Sequence, residues 1–191
     1  MSKFPGDRDK AKSAVVEMLK YMGENPEREG LVDTPERVLK SWDRLYGGYS
    51  IDPTDIFTTF AEKEDIPHNQ IILLKDIEFY STCEHHMLPF VGRAHVAYIP
   101  GDNIVGVSKL ARLVEIYARR LQIQERIGNQ VTQAIMEHLG ASAAACIIEA
   151  KHMCMTSRGV EKQHSTMTTS SLRGNFLTKQ QTRQELMMLI R

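Results

Sequence analysis

Phe90-Val91-Gly92-Arg93-Ala94-His95-Val96-Ala97-Tyr98-Ile99 is the stretch on which the fold turns. It is rich in β-branched and aromatic residues, and its side chains sort by parity. Phe90, Ala94, Val96 and Tyr98 fall on one face, with Arg93 and His95 on the other, as the two-residue period of a half-buried strand requires. One face is expected to be covered and the other wet. Ile71 to Tyr80 has the same strand character, and Cys83 to Pro89 between the two reads as a loop.

Downstream the period changes. Leu110, Leu113, Val114, Tyr117 and Leu121 mark one helix; Ile127, Val131, Ala134, Ile135 and Leu139 mark a second that stops at Gly140. Ala143 to Met155 returns to strand character. Cys146, Ile148, Ala150, His152 and Cys154 share one face, with Glu149 and Lys151 on the other, so His152 and Cys154 are predicted to point the same way. His164 to Leu172 is Thr- and Ser-rich enough for a strand, and Thr178 with Gln181 can form a capping box for a final helix ending near Arg191.

Upstream, Ala14, Val15, Met18, Leu19 and Met22 at helical spacing predict an amphipathic helix over residues 8–22, closed by Gly23. Thr34 as N-cap, Pro35 at the first helical position and a Val38, Trp42, Leu45 stripe predict another, closed by Gly47-Gly48. Residues 1–50 form an N-terminal helical arm and 51–191 the main domain; Ser50 to Asn69, broken by Pro53 and Pro67, holds at most a short helix.

The chain has 191 residues and is 42% hydrophobic, enough for one substantial core. Twenty-four basic residues cancel twenty-four acidic ones, so general attraction to nucleic acid or a membrane surface is not expected, and an anionic ligand must be met by a local cluster of cations. The cysteines number three, no signal peptide precedes them, and no apolar run approaches the ~18 residues that span a bilayer. A reducing cytoplasmic setting is expected, where thiols serve as ligands more often than as disulfides.

Cys83-Glu84-His85-His86 and His152-Met153-Cys154 put five metal-grade or proton-grade side chains into seven positions. Cys83 and His86 have the spacing of a chelating turn, and Cys154 can add a third ligand, because thiolate and imidazole are the pairing zinc favours. Three ligands leave one position open, the mark of a catalytic site. A closed structural site needs a fourth ligand, for which His85 or His152 would have to serve. Cys146, among core residues of its strand, reads as a small apolar residue.

Ser108-Lys109 opens a helix, with Arg112 one turn on; the group is either an anion site at a helix N-terminus or a serine cap followed by a solvated basic face. Arg158-Gly159, just beyond Cys154, adds a guanidinium suited to bidentate phosphate contact. Gln124-Glu125 begins the next helix, where an acid is favoured by the dipole; alternatively the Glu125 carboxylate accepts the two donors of a guanine edge.

With these residues set out, the chain resembles the GTP cyclohydrolase type I family. The resemblance rests on Ser81-Thr82-Cys83-Glu84-His85-His86, Gly106-Val107-Ser108-Lys109-Leu110-Ala111-Arg112, Gln122-Ile123-Gln124-Glu125-Arg126, and His152-Met153-Cys154-Met155 through Arg158-Gly159-Val160, in one order. Pro26-Glu27-Arg28-Glu29-Gly30-Leu31 with Asp33-Thr34-Pro35 resembles the family's helical arm, so nearly the whole chain is covered. The resemblance implies an α+β tunnelling fold (T-fold): an antiparallel four-stranded sheet with two helices between strand pairs, an N-terminal helical arm and a C-terminal helix. It implies a homodecamer of two pentamers with sites between subunits, and a barrel whose lumen is lined by the wet sheet face.

It also implies that Cys83, His86 and Cys154 bind zinc, which activates a water to attack C8 of GTP. His152 would handle the proton near N7, and His85 would assist during proton transfer around the ribose. Gln124 and Glu125 would recognise the guanine edge, with Ser108, Lys109, Arg112 and Arg158 around the triphosphate. The products implied are 7,8-dihydroneopterin triphosphate and formate, the first step of pterin and tetrahydrofolate biosynthesis. Ser157 departs from the apolar residue of many relatives, which bears on the placement of Arg158; Arg37 is a further candidate for the triphosphate of a neighbouring subunit. Two other readings compete: a same-fold relative with a nucleophilic cysteine that reduces nitriles, and a nucleotide-binding regulatory module with structural zinc. A nucleophile needs no such ligand set, which counts against the first.

Overall fold

The computed structural model describes residues 4–57, 69–101 and 103–191. Asp7 starts the first helix, α1 (Arg8–Tyr21), by accepting from the backbone N–H groups of Asp9 and Lys10. The next helix, α2 (Thr34–Leu45), is capped by Asp33 and not by Thr34, which already lies in the helix. Asp33 does not cap with its side chain; its carboxylate takes Arg37 at 3.0 Å. The buried face of α2 is Pro35 and Leu39, continued by Tyr46, while Leu45, expected in the stripe, is exposed. Val15 and Leu19 of α1 are buried and Arg8 bonds Glu36 at 2.6 Å, so the two helices form one arm.

Gly48, just beyond α2, packs closely against the backbone of Ile116 and Arg119. Its N–H donates to Arg119 O at 3.0 Å, and a Cβ there would lie 2.1 Å from Ile116 O, so only glycine allows the approach. A single turn, α3 (Thr54–Phe57), places Ile56 and Phe57 in the main core. The rest of the expected Ser50 to Asn69 connection, residues 58–68, lies outside the described residues.

The sheet has five strands, β1 (Ile72–Cys83), β2 (Pro89–Ile99), β3 (Leu121–Gln122), β4 (Ala143–His152) and β5 (Met167–Gly174), in the order β3-β1-β2-β4-β5. Four pair antiparallel; β3, a two-residue strand parallel to the end of β1, makes a fifth where a four-stranded sheet was expected. Leu121, expected in a helix, belongs to β3, because the helix α4 (Val107–Ala118) ends at Ala118. The next helix, α5 (Gln124–Leu139), ends at Gly140, whose φ of +60° is the left-handed cap that glycine takes at least cost.

A β-bulge governs which way β1 faces. Leu74 pairs with Val96 and Ile77 with Ala94, so Lys75 and Asp76 together oppose His95. Asp76 takes a φ of +56°. The extra residue shifts parity: Ile72 and Leu74 pack on the main core before the bulge, and Ile77, Phe79 and Cys83 after it. The bulge thereby turns Cys83 toward the face that α4 and α5 cover. It also corrects the expectation for His95, which is buried, with Nδ1 3.3 Å from the Asp76 N–H.

The main core lies between this sheet face and α3, α4 and α5. The opposite face is wet at Arg93, Glu149 and Lys151, but not along its whole length. Ala97, Ile99, Ala143, Ala145 and Ile147 meet Phe176 and Leu186 in a second cluster. These last two come from α7 (Asn175–Thr178) and α8 (Gln180–Ile190), with a single turn, α6 (Met153–Thr156), preceding β5. The expected Thr178–Gln181 capping box does not form, because Thr178 closes α7 and its hydroxyl donates to Gly174 O at 3.1 Å. Among the described residues no helix is long and apolar enough to cross a membrane.

Candidate metal centre

Cys83 is the last residue of β1, not the start of a loop. Its N–H donates to Leu88 O and its carbonyl accepts from Met87 N, both at 2.8 Å, closing a tight turn before β2. Met87 absorbs the reversal with a φ of +53°. Glu84 N–H donates to Gln122 O at 3.0 Å, so β3 braces the turn from the other side.

Cys154 reaches the same place from beyond the end of β4, two strands away at the same end of the sheet. The strand expected to run to Met155 ends at His152, and Cys154 sits in α6, so its direction comes from a helical turn and not from strand parity. The ligand atoms of Cys83, His86 and Cys154 all lie within 4.8 Å of one another. His86 Nδ1 is 3.7 Å from Cys83 Sγ, and His85 Nδ1 is 3.9 Å from the same sulfur. Burial, then hydrogen bonding and charge from Cys83, push the Cys154 thiol above its ordinary pKa. Two thiols and one imidazole suit a borderline-soft dication, whose charge would offset the penalty on the Cys154 thiolate. Cys146 shares no part of this. It is fully buried, and burial alone pushes its thiol up to about 12.

His152 is held beside the cluster by stacking and by an amide. Its ring lies flat on Phe90, centroids 4.5 Å apart and planes 6° from parallel, and its Nε2 is 2.8 Å from Gln124 Oε1. Gln124 is 1% exposed. Its amide nitrogen donates to Ile148 O at 3.0 Å, Met167 O at 3.1 Å and Thr169 Oγ1 at 3.0 Å. Two of those partners are carbonyls, which only accept, so the NH2 group faces them and Oε1 faces His152. His152 must then carry its hydrogen on Nε2, and the neutral ring keeps its lone pair on Nδ1. Burial lowers the His152 pKa, and the charge of Glu125 works the other way.

The side chain of Gln124, the residue expected at a guanine edge, bonds two strands and His152. Glu125, the next residue, is exposed and lines an open cleft of about 340 Å3 with Gly128, Asn129, Thr169, Ser170 and Ser171. Arg158 stands against the cluster, with Nη1 donating to Cys154 O at 3.1 Å and lying 3.4 Å from His86 Nε2. The neighbouring Ser157 hydroxyl donates to Met153 O at 2.6 Å at the end of α6.

Ser108, Lys109 and Arg112 occupy the first turns of α4, whose N-cap is Gly106 and not Ser108. Lys109 is buried, whereas Ser108 and Arg112 are exposed and, among the described residues, form no hydrogen bond or ion pair with the cluster. Glu84 and Arg126, quoted above only as parts of longer motifs, form a two-pronged ion pair at the cluster's edge. Their 42-residue separation left no local signal, since neither i,i+3 nor i,i+4 spacing applies.

Two thiols and an imidazole at one end of a mainly antiparallel sheet, with a second imidazole oriented beside them, define an α+β protein with a metal-grade centre. A sequence model of GTP cyclohydrolase I matches residues 11–191. The GTP cyclohydrolase 1 of Campylobacter lari is 51% identical over 183 residues, covering 96% of this chain and 95% of that one. That of Wolinella succinogenes is 53% identical over 171 residues, covering 90% of each, and that of Chlorobaculum tepidum is 53% identical over 179, covering 93% of this chain and 78% of its own. The chain belongs to the GTP cyclohydrolase I family, and it is an enzyme of that type. A solved structure of the archaeosine synthase QueF-Like in its apo form superposes on 55% of this chain and 93% of its own, with TM-score 0.45 and 12% identity.

Proposed function

We propose that this chain converts GTP and water to 7,8-dihydroneopterin triphosphate and formate, with zinc held by Cys83, His86 and Cys154. The observation that carries this reading is the convergence of those three ligand atoms within 4.8 Å in a chain of this family. Zinc bound there supplies a Lewis acid that brings the pKa of a water molecule toward neutrality.

The chain's own groups do the rest. His152, with Nε2–H committed to Gln124, exchanges a proton at purine N7 through Nδ1; a neutral imidazole with one free lone pair suits both taking and returning it. Phe90 keeps the ring plane fixed while Gln124 keeps its rotation fixed. Glu125 accepts from guanine N1–H and the exocyclic amine, an arrangement that leaves adenine's edge unpaired. Arg158 meets the phosphates beside the cluster, joined by Ser108, Lys109 and Arg112 from a neighbouring copy. His85, exposed at the cluster's rim, serves proton transfer during the ribose rearrangement. The chain works as a T-fold decamer in the cytoplasm, its arm spanning residues 1–50 and its catalytic domain residues 51–191.

GTP labelled at C8 tests this reading. The label leaves as formate while a dihydropterin chromophore develops. Label retained in an unchanged purine, with GTP bound, overturns it and favours the regulatory-module reading.

A further inference from the structure

Glu84 stands between two of the cluster residues, yet its carboxylate points away from metal chemistry and into Arg126. Nη1 of Arg126 bonds Oε2, and Nη2 bonds Oε1 at 3.0 Å, so both oxygens are held by one planar fork. The Glu84 carboxylate is drawn below its ordinary pKa by that bond first. The Glu84 backbone is tied as well, through its N–H to Gln122 O at 3.0 Å.

The turn needs such an anchor. His85 and Met87 within it are exposed, so apolar packing does not hold their side chains in place. Arg126 belongs to the first turn of α5, two residues after Gln124 and one after Glu125. The pair therefore joins the turn bearing Cys83 and His86 to the helical turn that orients His152 and carries Glu125. A bidentate guanidinium fixes rotation as well as distance, which an ammonium does not. The side chains of Glu84 and Arg126 are 29% and 41% exposed, so the pair adds little to global stability. Its consequence is geometric.

We propose that Glu84 and Arg126 are positioning residues that lock the Cys83–His86 turn against the start of α5 and thereby set the metal-binding geometry. The proposal rests on the zinc reading above. Zinc release to a chromogenic chelator and the visible spectrum of the cobalt-substituted protein test it, in the intact chain and in Glu84→Gln, Arg126→Gln, Arg126→Lys and the double glutamine variant.

Each single variant is expected to release zinc roughly 10- to 100-fold faster, the scale seen when a ligand's supporting partner is lost. Arg126→Lys is expected to restore little, because one point charge cannot reproduce the fork, and the double variant is expected to match the singles. The cobalt spectrum should shift in every variant while thermal midpoints stay close to the parent's. Release rates within twofold of the parent, with an unchanged cobalt spectrum, overturn the proposal. A parent chain that holds no zinc overturns the zinc reading and this proposal together. A parent that holds zinc without turning over GTP overturns only the proposed reaction.

Discussion

His152 is held to Gln124 by a 2.8 Å contact whose direction is dictated from behind: the Gln124 amide is pinned by the carbonyls of Ile148 and Met167, so only its oxygen can face the ring. An amide buried between two strands thus selects the tautomer of a histidine beside the Cys83, His86 and Cys154 cluster. Gln124→Met should leave zinc content intact and lower kcat by about ten- to a hundredfold, a part of the 10²–10⁴-fold that a positioned acid–base group contributes. Steady-state formate release with metal analysis of the same sample checks this. Unchanged kcat contradicts the positioning role.

The ligand set and the proton carrier separate by substitution. Cys154→Ala should lose both metal and turnover, because a thiolate is removed from a three-ligand site. His152→Ala should keep its metal and lose turnover. Equal metal loss in both variants contradicts the division of labour.

Thiol reactivity should rank the three cysteines by environment. Cys146, with its pKa pushed up to about 12, has a negligible thiolate fraction at pH 8 and should resist alkylation with or without zinc. Cys154, the most exposed of the three, should react first, and only after the metal is chelated. Mass mapping after brief iodoacetamide treatment reads the order. Modification of Cys146 ahead of Cys154 contradicts it.

Gly92 lies where β2 crosses between Phe79 and Ala150, and a Cβ there would sit 2.0 Å from Glu149 O and 2.6 Å from Ala150 Cβ. Neither neighbour is the far end of a flexible side chain, so the sheet must shift. Gly92→Ala should cost about 1–3 kcal/mol, the scale of an overpacked core. A urea midpoint equal to the parent's contradicts this.

Much of the scaffold was legible because one period dominates each element. Phe90, Ala94, Val96 and Tyr98 are all fully buried on one face, as their parity predicts, and Ile127, Val131 and Ile135 face the same core from α5. Cys83, His86 and Cys154 were visible from ligand chemistry and a short spacing. The bulge at Lys75 and Asp76 was not, since an inserted residue carries no compositional mark and Asp76 adopts its positive φ without a glycine. The burial of His95 follows from that bulge and was hidden with it. Cys154 was assigned the right neighbours through the wrong geometry, because strand parity cannot register that the chain turns into α6 at Met153. Gln124 shows the same limit from the other side: a polar residue opening a helix gives no sign that two carbonyls, from β4 and from Met167 of β5, will claim its amide.

Zinc-dependent turnover of GTP is the central claim, and metal titration of chelated protein tests it most directly. Formate release should vanish on chelation and return in proportion to added zinc until one equivalent per chain is bound, with Cys154→Ala failing to recover. Turnover by metal-free protein, or fully zinc-loaded protein that binds GTP and releases no formate, would contradict the account.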